Sequence, residues 1–140
     1  MSNINRIFGL FDDGGEETQP QEAVYVNFMD TPKGKIGMFV KLIQNNIVFR
    51  KKLRQFFKQI DQPFDEELTK KNSEFTIFNR AWHYIKQVDL QDHDALAAIV
   101  TFEPSILLDC LNLAIKYFES TEEYEKCGHM HKIAKLVKKL

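Results

Sequence analysis

Cysteine, proline and tryptophan are all scarce in this chain: among 140 residues there are two cysteines, four prolines and a single tryptophan. Two cysteines, Cys110 and Cys127, are too few and too irregularly placed for a disulfide framework, so both are expected as reduced thiols. No apolar run reaches the roughly 18 to 20 residues that span a bilayer; even Ile36 to Ile43 is interrupted by Lys41. The opening residues Met-Ser-Asn-Ile-Asn-Arg do not lead into a basic segment, an apolar run and a small-residue cleavage site. A cytoplasmic protein with no membrane contact is the resulting expectation. Signatures of chemistry are missing too: there is no glycine-rich phosphate loop, no Gly-x-Ser-x-Gly and no His-Glu-x-x-His. No catalytic residue and no cofactor is assigned, and a non-enzyme is expected.

What is present is the material of one globular core. The composition is 44% hydrophobic with 12 phenylalanines, and 28% charged residues serve an ordinary surface. A chain of this length buries roughly two-thirds of its unfolded surface. The formal net charge of −1 conceals a strong asymmetry. Residues 1 to 30 carry six acids against Arg6, whereas residues 31 to 60 carry eight cations and no acid.

The pattern along the chain predicts a mainly α, single-domain helical bundle of four to six helices over residues 23–140, preceded by a mobile acidic tail over residues 1–22. Val24, Val26 and Phe28 alternate with Tyr25, Asn27 and Met29, which predicts a short extended strand near residues 23–29 without an evident partner. Thr31-Pro32 supplies an N-cap and a first-turn proline. From there Phe39, Leu42, Ile43, Phe49, Leu53, Phe56, Phe57 and Ile60 follow helical spacing as one buried stripe, on one helix or on two broken at Asn45-Asn46. A second helix is expected from Asp65 or Ser73 to about Val88, with Phe75, Phe78, Ala81, Trp82 and Ile85 on its inner face and Trp82 central in the core. Asp92 caps a short helix, and Glu103-Pro104-Ser105 opens another. Ser120 and Glu123 have the spacing of a capping box for the last helix.

The last two helices, joined by a very short turn, read as an antiparallel hairpin. The runs Ala-Ile-Lys-Tyr-Phe-Glu (Ala114 to Glu119) and Glu-Tyr-Glu-Lys-Cys (Glu123 to Cys127), followed by Ala134, resemble the turn region of a tetratricopeptide unit, a family of helical protein-binding scaffolds. The resemblance covers about 30 residues, with Ile115 standing where the family usually has glycine or alanine. A second copy at a period near 34 residues is not found, and a solenoid needs about three. The hairpin is carried forward, the family is not.

Three groups of residues are candidates for function. Cys127, His129 and His131, with Cys110 across the hairpin, are the densest set of metal-ligand types, but the paired spacings of a structural zinc site are missing. Cys127 and His131 fit the apolar stripe with Tyr124 and Ala134, so core packing is expected and no metal is assigned. Arg50, Lys51, Lys52, Arg54 and Lys58 concentrate five cations on one helix, suited to a nucleic acid or an acidic partner. In the acidic tail, Ile7, Phe8, Leu10 and Phe11 form an apolar peptide of the kind that docks into a groove on a larger protein. Gly9-Leu10-Phe11 resembles the ending of peptides that bind DNA sliding clamps, with isoleucine where those peptides often open on glutamine. The leading expectation is therefore a non-catalytic protein-protein interaction protein, an adaptor, assembly or regulatory factor of the sort common among accessory factors of phages or bacterial operons. A nucleic-acid-associated factor using residues 50–58 comes second, and a metal protein or enzyme third.

Overall fold

The computed structural model describes residues 28–140, and within them five helices run in order: α1 Pro32–Gln59, α2 Glu66–Ile85, α3 His93–Ile99, α4 Pro104–Ser120 and α5 Tyr124–Lys138. The mainly α bundle expected from the sequence is what forms. Among the described residues there is no strand; Phe28 and Met29 lie in a helical turn instead of an extended segment, and residues 23–27 of the expected strand lie outside the described part. Local hydrogen bonding decides this turn. Phe28 offers its carbonyl to the Thr31 amide, while the Thr31 hydroxyl oxygen accepts from the Gly34 amide at 3.1 Å. The chain passes so close to Gly34 that any Cβ there would collide with the Phe28 carbonyl.

Helix α1 is continuous through Asn45-Asn46, with Asn46 buried on its inner face. Helix α2 starts at Glu66 because the Asp65 carboxylate accepts from the Leu68 amide at 3.0 Å, with Glu66 and Glu67 in the first turn complementing the helix dipole. Asp92 caps α3 as expected, its carboxylate accepting from the Asp94 amide at 3.0 Å. The expected capping box does not form. Ser120 is still inside α4, where its hydroxyl donates to the Tyr117 carbonyl, and Glu123 is itself the cap of α5, without a side-chain hydrogen bond to the backbone.

The core is built where all five helices meet. Ile36, Phe39 and Ile43 of α1 pack with Ala81 and Ile85 of α2, Ile99 of α3, Leu107, Leu111 and Phe118 of α4, and Met130 and Ile133 of α5. Trp82, expected at the centre, is only partly buried at the rim. Its ring meets Phe118 and His129 edge-on at 6.2 and 5.6 Å, and the Lys126 ammonium lies 5.8 Å above it. Phe39 and Phe118 hold the centre instead, both at 0% exposure.

Buried residues end at Asn46 on α1 and begin again at Phe78 on α2. The distal parts of these two helices therefore form an antiparallel arm beyond the body, about 20 Å long at 1.5 Å per residue. Half-buried Ile47 and Phe57 on α1, with Ile77 on α2, mark its inner side, and half-buried Leu53 lies at its edge. At the tip, Phe57 stacks on Phe64 with centroids 5.2 Å apart, and Arg54 pairs with Glu66. Among the described residues no single helix is long and apolar enough to cross a membrane; α3 and α4 reach that apolar length only together, across a 106° bend.

Candidate functional site

The arm turns outward a stripe that the sequence pattern assigns to the core. Phe49, Leu53, Phe56 and Ile60 stand at i, i+4, i+7 and i+11 and so share one side of α1. In the structure Phe49 is 57%, Phe56 53% and Ile60 45% exposed, and Leu53 is half-buried. On α2, Leu68 and Phe75, seven residues apart on one face, are exposed as well, which corrects the expected inner position of Phe75. The physical reason is reach. Helical spacing fixes which side of α1 is apolar, but the body covers only its first half, and beyond Asn46 a single neighbouring helix shields one flank. Exposing several large apolar side chains together forgoes about 1.5 to 3 kcal/mol for each that would otherwise be buried, and such patches mark interaction sites.

The five cations of the same segment do not form one face. Lys51, Lys52, Arg54 and Lys58 are exposed, whereas Arg50 is half-buried and turned toward α2 and α4. Arg54 is engaged with Glu66; Lys51, Lys52 and Lys58 have no carboxylate partner among the described residues. Lys51, Arg54 and Lys58 follow i, i+3, i+7 spacing on one side, and Lys52 lies nearer the apolar stripe.

The metal-type residues are kept apart. Cys110 and Cys127 are both buried and free. Burial, reinforced by the neighbouring Asp109 charge, pushes the Cys110 thiol up to about 11. Burial, with Glu119, also raises Cys127, whose thiol donates to the Ile115 carbonyl across the hairpin at 3.5 Å. His129 is half-buried and its Nε2–H donates to the Ile85 carbonyl, 2.9 Å away at the end of α2. His131, expected in the core, is exposed on the flank of α5 beside α4, 3.9 Å from Glu119; Tyr124 is exposed too. The inner stripe of α5 is instead Cys127, Met130, Ile133, Ala134 and Val137, whose spacing excludes position 131. No three metal-ligand types converge among the described residues.

Ile7, Phe8, Leu10 and Phe11 lie outside the described residues. Asn46, which the sequence offers only as a possible break in α1, is the one buried polar side chain among the described residues; its signal is an asparagine three positions after Ile43 on an otherwise apolar side. Comparison with protein-family models, curated proteins and solved structures finds no match to this chain. The tetratricopeptide resemblance accordingly stays confined to the α4–α5 hairpin, which does form.

Proposed function

We propose that this is a non-catalytic interaction protein, an adaptor, assembly or regulatory factor, that docks another protein on the outer side of its α1–α2 arm. The observation that carries the reading is the exposed stripe of Phe49, Phe56 and Ile60. With Lys52 alongside, it suits an amphipathic helix that carries apolar anchors and acidic neighbours, the mode in which a helix lays its apolar face on a complementary surface. Aromatic anchors of this kind usually contribute most of the binding energy. Ile7, Phe8, Leu10 and Phe11 supply a second apolar element for the same partner or for another subunit of its assembly. Affinity capture from source cells with wild-type protein and with the Phe49→Ser, Phe56→Ser double variant tests the reading: a partner retained equally by both removes the arm from consideration.

A nucleic-acid-associated role is the second reading, favoured by Lys51, Lys52 and Lys58 standing exposed without carboxylate partners among the described residues. Its mark is purified protein with an elevated ratio of absorbance at 260 to 280 nm that high salt abolishes, because phosphate contacts weaken steeply as salt rises.

A further inference from the structure

Where the arm leaves the body, α1, α2 and α4 enclose a cleft of about 450 Å³. Its apolar lining comes from Ile47, Phe78 and Leu113, and its polar groups include Asn46, Arg50 and Lys116. Asn46, 7% exposed, is the one buried polar side chain among the described residues, and it lines this cleft. The Arg50 Nε–H is fully shielded from solvent and lacks an acceptor, the one such side-chain group among the described residues. A buried donor left without an acceptor costs about 1 to 3 kcal/mol, and more when it belongs to a charged group. Arg50 thus brings to the cleft a cation whose hydrogen-bonding capacity the protein itself does not use in full. The remaining charges define the acceptor. Lys70 and Glu74 also line the cleft and stand 3.8 Å apart as a pair, leaving Arg50 and Lys116 without a counter-charge there.

We infer that this cleft is a binding site for a small organic carboxylate, its anionic head on Arg50 and Asn46 and its apolar body against Ile47, Phe78 and Leu113. The two Nη groups of a guanidinium form a fork that matches the two oxygens of a planar carboxylate. Lys116, on the exposed side of α4, adds attraction at the mouth. The apolar wall selects an anion with a hydrophobic body over a bare inorganic one, because a fully hydrated ion gains nothing from that wall. The site is independent of partner docking, since the outward stripe of α1 does not line it.

Nuclear magnetic resonance titration of the full-length protein with sodium benzoate, benzyl alcohol and sodium phosphate tests the assignment. Benzoate is expected to shift the Asn46 side-chain amide and the Arg50 Nε–H saturably, with benzyl alcohol and phosphate at equal ionic strength leaving them in place. Arg50→Gln and Lys116→Gln are expected to weaken benzoate binding, by roughly tenfold and severalfold respectively, and Lys52→Gln to leave it unchanged. Lys116 is exposed, so its variant keeps the test sound if Arg50→Gln perturbs folding. Shifts that never saturate, that spread equally over Lys51, Lys52 and Lys58, or that phosphate reproduces at Asn46 would overturn the proposal, as would undiminished benzoate binding by Lys116→Gln.

Discussion

Asp61 and Glu122 occupy the same structural position in two separate hairpins: each is the left-handed residue that ends one helix before the next begins, with φ of 52° and 60°. After α1 the Gln62 amide donates back to the Phe57 carbonyl and the Asp61 amide to Lys58; after α4 the Glu123 amide donates to Phe118 and the Glu122 amide to Glu119. Both are Schellman endings, a place where glycine is the usual residue. A side chain there costs about 1 to 2 kcal/mol of backbone strain, partly offset by the greater freedom glycine has when unfolded. Glu122→Gly, and separately Asp61→Gly, should therefore raise stability by about 0.5 to 1 kcal/mol in denaturant unfolding. A loss of stability would mean the turn depends on the carboxylate.

Core truncations should rank by burial and not by side-chain size. Phe118→Ala, at a fully buried ring, should cost about 3 to 5 kcal/mol. Trp82→Ala, at the rim, should cost less, about 1 to 3 kcal/mol, since part of its ring surface is already in water. The reverse order, measured by chemical unfolding at equal slope, would place the tryptophan at the centre after all.

Both thiols should be silent in the native state. Burial holds Cys110 and Cys127 protonated at neutral pH, and the thiolate is the reactive form. Titration with an aromatic disulfide reagent at pH 8 should find essentially no fast-reacting thiol until guanidinium is added, and then two. Immediate reaction of either in native protein would show that the hairpin opens readily.

Glu123 gives the α4–α5 turn a pH dependence of known sign. Hydrogen bonds from Lys126, at 2.7 Å, and from the Thr121 hydroxyl, at 2.6 Å, hold its carboxyl below the usual glutamate range. A folded-state value below the unfolded one stabilises at pH above the unfolded value, and that contribution fades as pH falls through the folded one. Thermal unfolding of Glu123→Gln should therefore approach wild type as pH drops below the ordinary glutamate value, and fall below it at neutral pH. A constant difference across that window would mean the carboxylate charge is immaterial there.

Much of the helical framework was legible from local signals, because caps and breakers act within a few residues. Thr31-Pro32, Asp65, Asp92 and Glu103-Pro104 each begin a helix where the sequence implies. Burial was less legible. Spacing identifies the apolar side of α1 but carries no information on where the covering helices stop, so Phe49 and Phe56 were assigned to a core that does not extend to them. His131 was misplaced for a related reason: positions 127 and 131 share a side, but the true axis of burial runs through Met130 and Val137. The cleft at the root of the arm was invisible because Asn46, Phe78 and Lys116 meet only through tertiary packing.

Site-specific photo-crosslinking in source cells tests the docking role of the arm most directly. A photoreactive amino acid placed at Phe56, with a control at exposed Lys135 on α5, reports what each surface touches. Position 56 should give one discrete protein adduct that position 135 lacks and that Phe49→Ser diminishes. If position 56 yields no adduct beyond the control, or yields nucleic acid instead of protein, the arm is not a protein-docking surface.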